Sequence, residues 1–191
     1  MGLDSIDMFY RHNPETQLGF VDASASETRT RRAFERLEQM ADGYKVRWYG
    51  VAAWDGFRKG ALKLPGLVEI AREVCGPDHR FRFIQLPFHT ANDDVHRRAG
   101  QRAGSHRAPR SRRSGQWSAD ARAVIGQMPG GVTRMIPALE TSARHAVQFS
   151  RSAAGISVAL AGMSHRQHAL ENPGIVRIPP VSPDAYLRFF Q

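Results

Sequence analysis

The sequence has one cysteine, Cys75, among its 191 residues, which excludes an internal disulfide framework and a zinc site built from cysteines. It also lacks an apolar run of about 20 residues, the length that a membrane-spanning helix needs. The longest apolar runs, such as Ile156 to Gly162, are far shorter. Asp4 and Asp7 stand where a secretory signal would need its apolar core. We therefore expect a cytoplasmic protein with no membrane partner.

Acidic and large apolar residues are both missing from one segment of the chain. The net charge is +9, and seven arginines but no acid lie between Arg97 and Arg113. Without these arginines the net charge falls to about +2, so the basicity is local. From His96 to Gln116 there is no Val, Ile, Leu, Met or aromatic residue to form a core face. We predict that residues 96–122 are a disordered or frameshift-like segment.

This basic segment has two interpretations. It is either an arm that binds nucleic acid through phosphate contacts, or a solvated linker or the product of a shifted reading frame in GC-rich DNA. No aromatic residue is interleaved with the arginines for base stacking, which makes nucleic acid the less favoured partner.

Elsewhere, short apolar strands alternate with amphipathic helices, which predicts parallel strands joined by crossover helices. The predicted strands are Ile6 to Tyr10, Val46 to Ala53, Phe81 to Phe88 and Ile156 to Ala161. Helical stripes lie between them: one contains Phe34, Leu37 and Met40 and ends near Gly43, and another contains Leu67, Ile70, Ala71 and Val74. Two later helices are predicted to be capped by Thr141 and by Ser164, the second running through Asn172.

Four segments resemble, in order, the second half of an aldo/keto reductase: LDSIDMFYRHNPE, KVRWYGVAAWDGF, FRFIQLPF and GISVALAGMSHRQHALEN. The resemblance covers residues 3–90 and roughly 126–172, and it implies an α/β fold that is part of a (β/α)8 TIM barrel. We expect about strands four to six and strand eight with their helices. Strand seven falls in the arginine-rich segment, where we expect no apolar strand, and the first three strands are expected to be absent.

The same resemblance divides the chain into four parts. Residues 1–95 would form the barrel segment with strands four to six, and 96–122 the basic segment. Residues 123–176 would form the C-terminal barrel segment with a loop for the cofactor phosphate, followed by a proline-rich tail at 177–191.

The family reduces aldehydes and ketones by hydride transfer from NADPH, and two residues match its reaction site. His12, which follows the first predicted strand, matches the histidine that binds and orients the substrate carbonyl. Gln85, between apolar neighbours, matches the glutamine that binds the nicotinamide carboxamide. Many members carry Ser-Asn for the same carboxamide where this chain has Ala52 and Ala53, which weakens the cofactor prediction.

A second group matches the loop that binds the adenosine phosphate. A helix N-terminus suits phosphate because its backbone N–H groups are free and its dipole end is positive. The family often has a basic residue just after the serine, whereas His165 and Arg166 stand here. The group predicted to bind the cofactor consists of Gly162, Met163, Ser164, His168, Glu171 and Asn172.

The rest of the family's catalytic set is not found in this sequence. Its tyrosine, lysine and aspartate lie upstream of the histidine, and the eleven residues before His12 contain no such set. We therefore expect an aldo/keto reductase-type chain that is inactive by itself towards a small carbonyl substrate. The alternatives are a non-catalytic nucleotide-binding fragment or a module tethered to nucleic acid through residues 97–113. Open barrel edges would also allow self-association. The histidines show no metal-ligand spacing, so no metal site is predicted.

Overall fold

The computed structural model of the protein describes residues 2–87, 112–116, 136, 139–153 and 156–188. They divide into two compact units, the first made mainly of the described residues up to Leu86 and the second mainly of those from Arg113 onwards. None of the helices in the described part of the chain is long and apolar enough to cross a membrane.

The first unit is a three-stranded parallel sheet whose strands are connected by helices. In chain order it contains β1 (Ile6–His12), α1 (Ala23–Asp42), β2 (Val46–Ala52), α2 (Leu64–Cys75) and β3 (Phe81–Pro87). Short 3-10 helices span Pro14–Gly19 and Gly76–Asp78. β1 pairs with β2 and β2 pairs with β3, both in parallel. The predicted alternation of strands and helices is confirmed here.

Local signals in the sequence set the ends of both helices. The side chain of Asp22 accepts a hydrogen bond of 2.7 Å from the backbone N–H of Ala25, which caps the start of α1. Gly43 ends that helix, as predicted. α2 has a proline in its first turn and ends at Gly76, which adopts a φ of +70° that glycine accepts without strain.

One face of the sheet packs against α1 and α2. Three buried rings form the centre of this core: the ring centre of Phe34 is 5.0 Å from that of Tyr49 and 5.2 Å from that of Phe81. Val51 and Ile84 extend the same cluster along β2 and β3. Each fully buried side chain of this size contributes about 1.5–3 kcal/mol, so the core holds the strands firmly beneath their carboxyl ends.

The second unit contains β4 (Arg112–Gln116), α3 (Ser142–Ser152), β5 (Ile156–Leu160), α4 (Arg166–Glu171), a 3-10 helix (Asn172–Arg177) and α5 (Pro183–Leu187). β4 and β5 are parallel. The Thr141 hydroxyl accepts a hydrogen bond of 3.3 Å from the Arg144 N–H, which confirms the predicted cap. Phe149 of α3 is buried, with its ring centre 5.0 Å from that of Tyr186.

β4 differs from what the sequence pattern led us to expect. It lies inside the segment 96–122, for which we predicted a disordered or frameshift-like segment with no apolar strand because apolar side chains are missing. A parallel ladder is made from backbone N–H and C=O groups, which every residue except proline supplies, so paired residues need no apolar alternation. The arginines from Arg97 to Arg110 lie outside the described residues.

Candidate functional site

Three residues lie abreast at the carboxyl ends of the strands in the first unit. His12 of β1 is in register with Ala52 of β2, and Ala52 is in register with Gln85 of β3. Neighbouring strands are about 4.8 Å apart, so the backbones of His12 and Gln85 are separated by about 10 Å, with Ala52 between them. In-register residues of a parallel sheet project to the same face. The structure therefore brings together the two predicted site residues of this unit.

A bulge between β2 and β3 produces this alignment. Tyr49 pairs with Phe81, but the next residue, Gly50, pairs with Phe83, so that Arg82 is passed over. A Cβ atom at Gly50 would lie 2.2 Å from the carbonyl oxygen of Phe83, which only glycine avoids. The shift lets Phe81 and Ile84 both face the core while Gln85 faces the same side as His12.

Backbone hydrogen bonds fix the strand ends at this level. The N–H of Asn13 donates to the carbonyl of Ala52 at 2.6 Å, and the N–H of Ala53 donates to the carbonyl of Gln85 at 2.9 Å. Asn13 turns the chain with a φ of +44°, a left-handed conformation that asparagine tolerates better than most residues. The His12 side chain is exposed and that of Gln85 is half-buried.

The two alanines in place of the family's Ser-Asn have different surroundings. Ala53 belongs to the core cluster under the helices, on the side away from His12. Ala52 lies on the same face as His12 and Gln85, and it too is buried. Only the Ala52 position thus affects the contacts available on the face that carries His12 and Gln85.

Glu15 is a positioning residue that the sequence pattern did not single out. Its Oε1 atom accepts hydrogen bonds from the backbone N–H groups of Trp54, at 3.0 Å, and Gly56, at 3.2 Å. The carboxylate thereby ties the loop after β2 to the turn after His12. Trp54 is left 45% exposed beside the end of β2. Glu15 lies at the end of the segment LDSIDMFYRHNPE, which was the one available signal for it.

The same loop carries a further ionic contact. Arg58 and Lys59 lie 2.8 Å and 3.0 Å from the carboxylate oxygens of Asp55. Hydrogen bonds from Arg58 and then Lys59 hold the pKa of Asp55 below its usual range, so it stays ionised. Glu15 and Asp55 therefore both hold the first part of the loop after β2.

In the second unit, the predicted cap at Ser164 is wrong. α4 begins at Arg166 with His165 as its N-cap residue, so Ser164 stands one position too early to reach the free N–H groups of the first turn. The Ser164 hydroxyl instead lies 3.0 Å from Nδ1 of His165. Gly162, Met163 and Ser164 form an exposed loop after β5, and Met163 is 49% exposed.

The other predicted residues of this unit fall into two places. The His168 ring meets the His165 ring edge-on with centres 5.3 Å apart, and His165 in turn contacts Ser164. Glu171 lies at the far end of the six-residue α4, about 9 Å from His165 along the helix axis. It accepts a hydrogen bond of 2.6 Å from Gln167. Asn172 begins the following 3-10 helix. Within the described residues, no three His, Cys, Asp or Glu side chains are placed to bind a metal ion.

A comparison with protein-family models finds no match, and neither does a comparison with curated proteins. Solved structures do match. An aldo/keto reductase from Brucella melitensis has a TM-score of 0.62 at 10% identity, over 98% of this chain and 61% of that one. A putative 2,5-diketo-D-gluconic acid reductase B matches with a TM-score of 0.60 at 16% identity, over 97% of this chain and 56% of that one. An aldo/keto reductase from Klebsiella pneumoniae in complex with NADP and acetate matches with a TM-score of 0.56 at 14% identity, over 97% of this chain and 58% of that one.

The chain therefore spans about three fifths of the length of the reductases whose structures it matches. All the neighbours described above have aldo/keto reductase or related reductase names, which agrees with the resemblance found in the sequence. The expectation of an incomplete α/β barrel is confirmed: this chain has the fold of part of an aldo/keto reductase (β/α)8 barrel.

Proposed function

We propose that this chain supplies part of the site of an NADPH-dependent carbonyl reductase. The observation that carries the proposal is the alignment of His12, Ala52 and Gln85 at the carboxyl ends of three adjacent parallel strands. In barrels of this kind the reaction site is built at that end of the strands. An imidazole and a carboxamide on one face, with a methyl group between them, suit a carbonyl compound and an amide-bearing ring.

The residues present fit a nicotinamide. The side-chain amide of Gln85 has both a donor and an acceptor, as the carboxamide of the ring does, so the two are complementary. Between His12 and Gln85, Ala52 contributes only a methyl group, the smallest side chain of the three. When bound, the cofactor supplies the hydride. In the second unit, the exposed loop of Gly162, Met163 and Ser164 is proposed for the adenosine phosphate, with His168, Glu171 and Asn172 on its adenosine side.

His12 is proposed to act on the substrate. Its exposed imidazole can donate a hydrogen bond to a carbonyl oxygen, which orients the carbonyl and stabilises the negative charge that develops on it. The exposed Trp54, held by Glu15 at the end of β2, offers an apolar surface for the rest of a small aldehyde or ketone. Such a reaction would take place in the cytoplasm.

We further propose that these 191 residues alone reduce carbonyl compounds very slowly. The reaction needs a proton donor. The hydroxyl of Tyr49 already donates a hydrogen bond to Glu38 in the core. Tyr186 is buried in the second unit. A positioned general acid is worth about 10²–10⁴-fold in rate, so with both of these hydroxyls held in buried cores the chain is expected to bind the cofactor better than it uses it.

NADPH binding tests this proposal directly. NADPH is titrated into the purified chain and followed by its own fluorescence and by quenching of tryptophan emission. Gln85→Ala is expected to raise the dissociation constant about tenfold, equivalent to one lost amide pair, whereas Gln39→Ala on the exposed surface of α1 should leave it unchanged. NADPH oxidation with simple aldehydes should stay well below about 1 s⁻¹.

Three outcomes would contradict the proposal. Absence of NADPH binding would remove the cofactor role. Turnover at ordinary enzyme rates would remove the claim of low activity. Binding that survives Gln85→Ala but weakens steeply between about 50 and 200 mM salt would assign the anion affinity to the arginines at 97–113 and favour the nucleic-acid alternative.

A further inference from the structure

The segment that follows α4 has few means of holding its own position. It contains Pro173, Pro179 and Pro180, whose backbone nitrogens carry no hydrogen to donate. After the 3-10 helix Asn172–Arg177, residues 178–182 form no helix or strand. Buried backbone groups in such a segment need partners elsewhere, so its placement depends on neighbouring side chains.

Polar side chains of α3 supply these partners. Gln148, Arg151 and Ser152 are spaced i, i+3 and i+4, which places them on one side of the helix, and we call them the α3 clamp. The guanidinium of Arg151 donates to the carbonyl of Ile175 at 2.6 Å. The side-chain amide of Gln148 donates to the carbonyl of Pro179 at 2.7 Å.

Ser152 adds a third point of attachment. The backbone N–H of Val181 donates to its hydroxyl at 2.9 Å, and the hydroxyl donates in turn to the carbonyl of Gln148 at 2.7 Å. Both capacities of the hydroxyl are therefore used. The clamp thus binds three backbone groups spread over seven residues of the segment.

Gln148 is kept in the clamp at a cost. Its side chain is 0% exposed, and its Oε1 atom has no hydrogen-bond partner among the described residues. A buried polar atom without a partner lowers stability, and an apolar side chain would fill the same space without that loss. What the amide adds is the bond to Pro179, which fixes the place of the segment.

The clamp acts on the part of the chain that carries two proposed cofactor residues. Asn172 begins the 3-10 helix, and Glu171 directly precedes it. The Ile175 carbonyl that Arg151 binds also accepts the N–H of Ile178 at 3.0 Å, at the end of this helix. Arg151 therefore holds the short helix whose first residue is Asn172.

We propose that the α3 clamp positions Glu171 and Asn172 for the adenosine end of NADPH. The inference rests on the function proposed above for these two residues. Gln148, Arg151 and Ser152 are positioning residues, since they act through the backbone of the segment. A segment that is already ordered when the ligand arrives strengthens binding, because less conformational freedom is lost on association.

The test uses two ligands, NADPH and adenosine bisphosphate, which is the adenosine half of NADPH. Binding of each to the full chain is measured by isothermal titration calorimetry. Arg151→Met removes the hydrogen bond to Ile175 and should raise both dissociation constants about tenfold. Gln85→Ala should raise only that of NADPH, since the bisphosphate has no carboxamide.

Two further variants separate positioning from general stability. Arg151→Lys keeps a donor on a long side chain, so both affinities should stay within about threefold of those of the unchanged chain. Phe149→Leu removes the ring that packs against Tyr186 but leaves the clamp in place. It should lower the stability of the second unit without changing either affinity.

Ser152→Ala gives a measurement without ligand. It removes the acceptor of the Val181 N–H, so hydrogen exchange followed by mass spectrometry should become faster in residues 178–182. Ser142→Ala, at the exposed start of α3, is the matched control and should leave exchange unchanged.

The outcomes distinguish this inference from the proposed function. If the unchanged chain binds neither ligand, both fail. Three results overturn the inference alone: NADPH binds but the bisphosphate does not, Arg151→Met binds both as tightly as the unchanged chain, or Phe149→Leu weakens binding as much as Arg151→Met does. Unchanged exchange in Ser152→Ala also overturns it, because the clamp would then not hold the segment.

Discussion

The hydroxyl group of Tyr49 on β2 donates a hydrogen bond of 2.9 Å to the carboxylate of Glu38 on α1, and both side chains are buried. The same carboxylate accepts hydrogen bonds from the backbone N–H of Arg80, at 2.7 Å, and from its guanidinium, at 2.8 Å. Burial, followed by the charge of Glu38, raises the pKa of Tyr49 above its usual range and keeps the hydroxyl a donor. A buried acid thus links α1 to β2 and to the residue that precedes β3.

Removal of that hydroxyl should destabilise the first unit. Tyr49→Phe leaves a buried carboxylate with one donor fewer, which we expect to lower the free energy of unfolding by about 1–2 kcal/mol. Urea denaturation followed by circular dichroism measures the change. Tyr44→Phe, at an exposed position, is the matched control and should have no effect. Equal stability of the two variants would show that the hydrogen bond contributes nothing.

The buried His79 should make stability depend on pH. Its Nδ1 atom lies 3.0 Å from a guanidinium nitrogen of Arg82, which can only donate, so the ring is neutral. Burial, and then the Arg82 charge, lower the pKa of His79 from its usual 6.5. The unfolded chain therefore binds a proton more readily, and stability should fall as the pH drops below about 6.5.

The pH prediction is checked by urea denaturation at pH 7.5 and pH 5. His79→Gln should lose less stability between those two pH values than the unchanged chain does. His165→Gln, in the second unit, should lose as much as the unchanged chain. An unchanged pH profile in His79→Gln would assign the dependence to other groups.

Tyr44 stores backbone strain that glycine would release. It follows the end of α1 with a φ of +57°, and its side chain is 86% exposed, so little packing compensates. Tyr44→Gly should raise the free energy of unfolding by about 1 kcal/mol. Tyr44→Ala, which has a Cβ atom and the same strain, should not. A similar effect of both substitutions would show that the side chain and not the backbone is responsible.

The bulge between β2 and β3 should not tolerate a side chain at Gly50. A Cβ atom there would lie 2.2 Å from the carbonyl oxygen of Phe83 and 3.0 Å from the ring of Tyr10, so the strands must separate. Gly50→Ala is expected to cost more than about 2 kcal/mol and to weaken NADPH binding, because the register of Gln85 depends on this contact. Gly66→Ala, in open space on α2, should be neutral or slightly stabilising.

Much of the first unit follows from local pattern. The stripe of Phe34 and Leu37 predicted α1, and Gly43 predicted its end, because helix periodicity and capping are properties of a few neighbouring residues. The position of His12 directly after an apolar strand also placed it at a carboxyl end. Gln85 was likewise predicted within an apolar strand. That it stands in register with Ala52 and His12 was not predicted.

Features that depend on contacts between distant segments were not visible in the pattern. Glu15 acts on Trp54, 39 positions along the chain. β4 has no apolar signature and forms by backbone pairing with β5. The start of α4 at Arg166 displaced Ser164 from its predicted capping role.

The sequence by itself determined which residues are apolar, where helices end and which side chains stand near strand ends, since these depend on spacings of a few residues. The tertiary structure alone decided that a bulge beside Gly50 places His12, Ala52 and Gln85 in register on one face of the sheet. Strand register and burial arise from packing between segments far apart in the chain. The spacing of residues within one segment does not predict that packing.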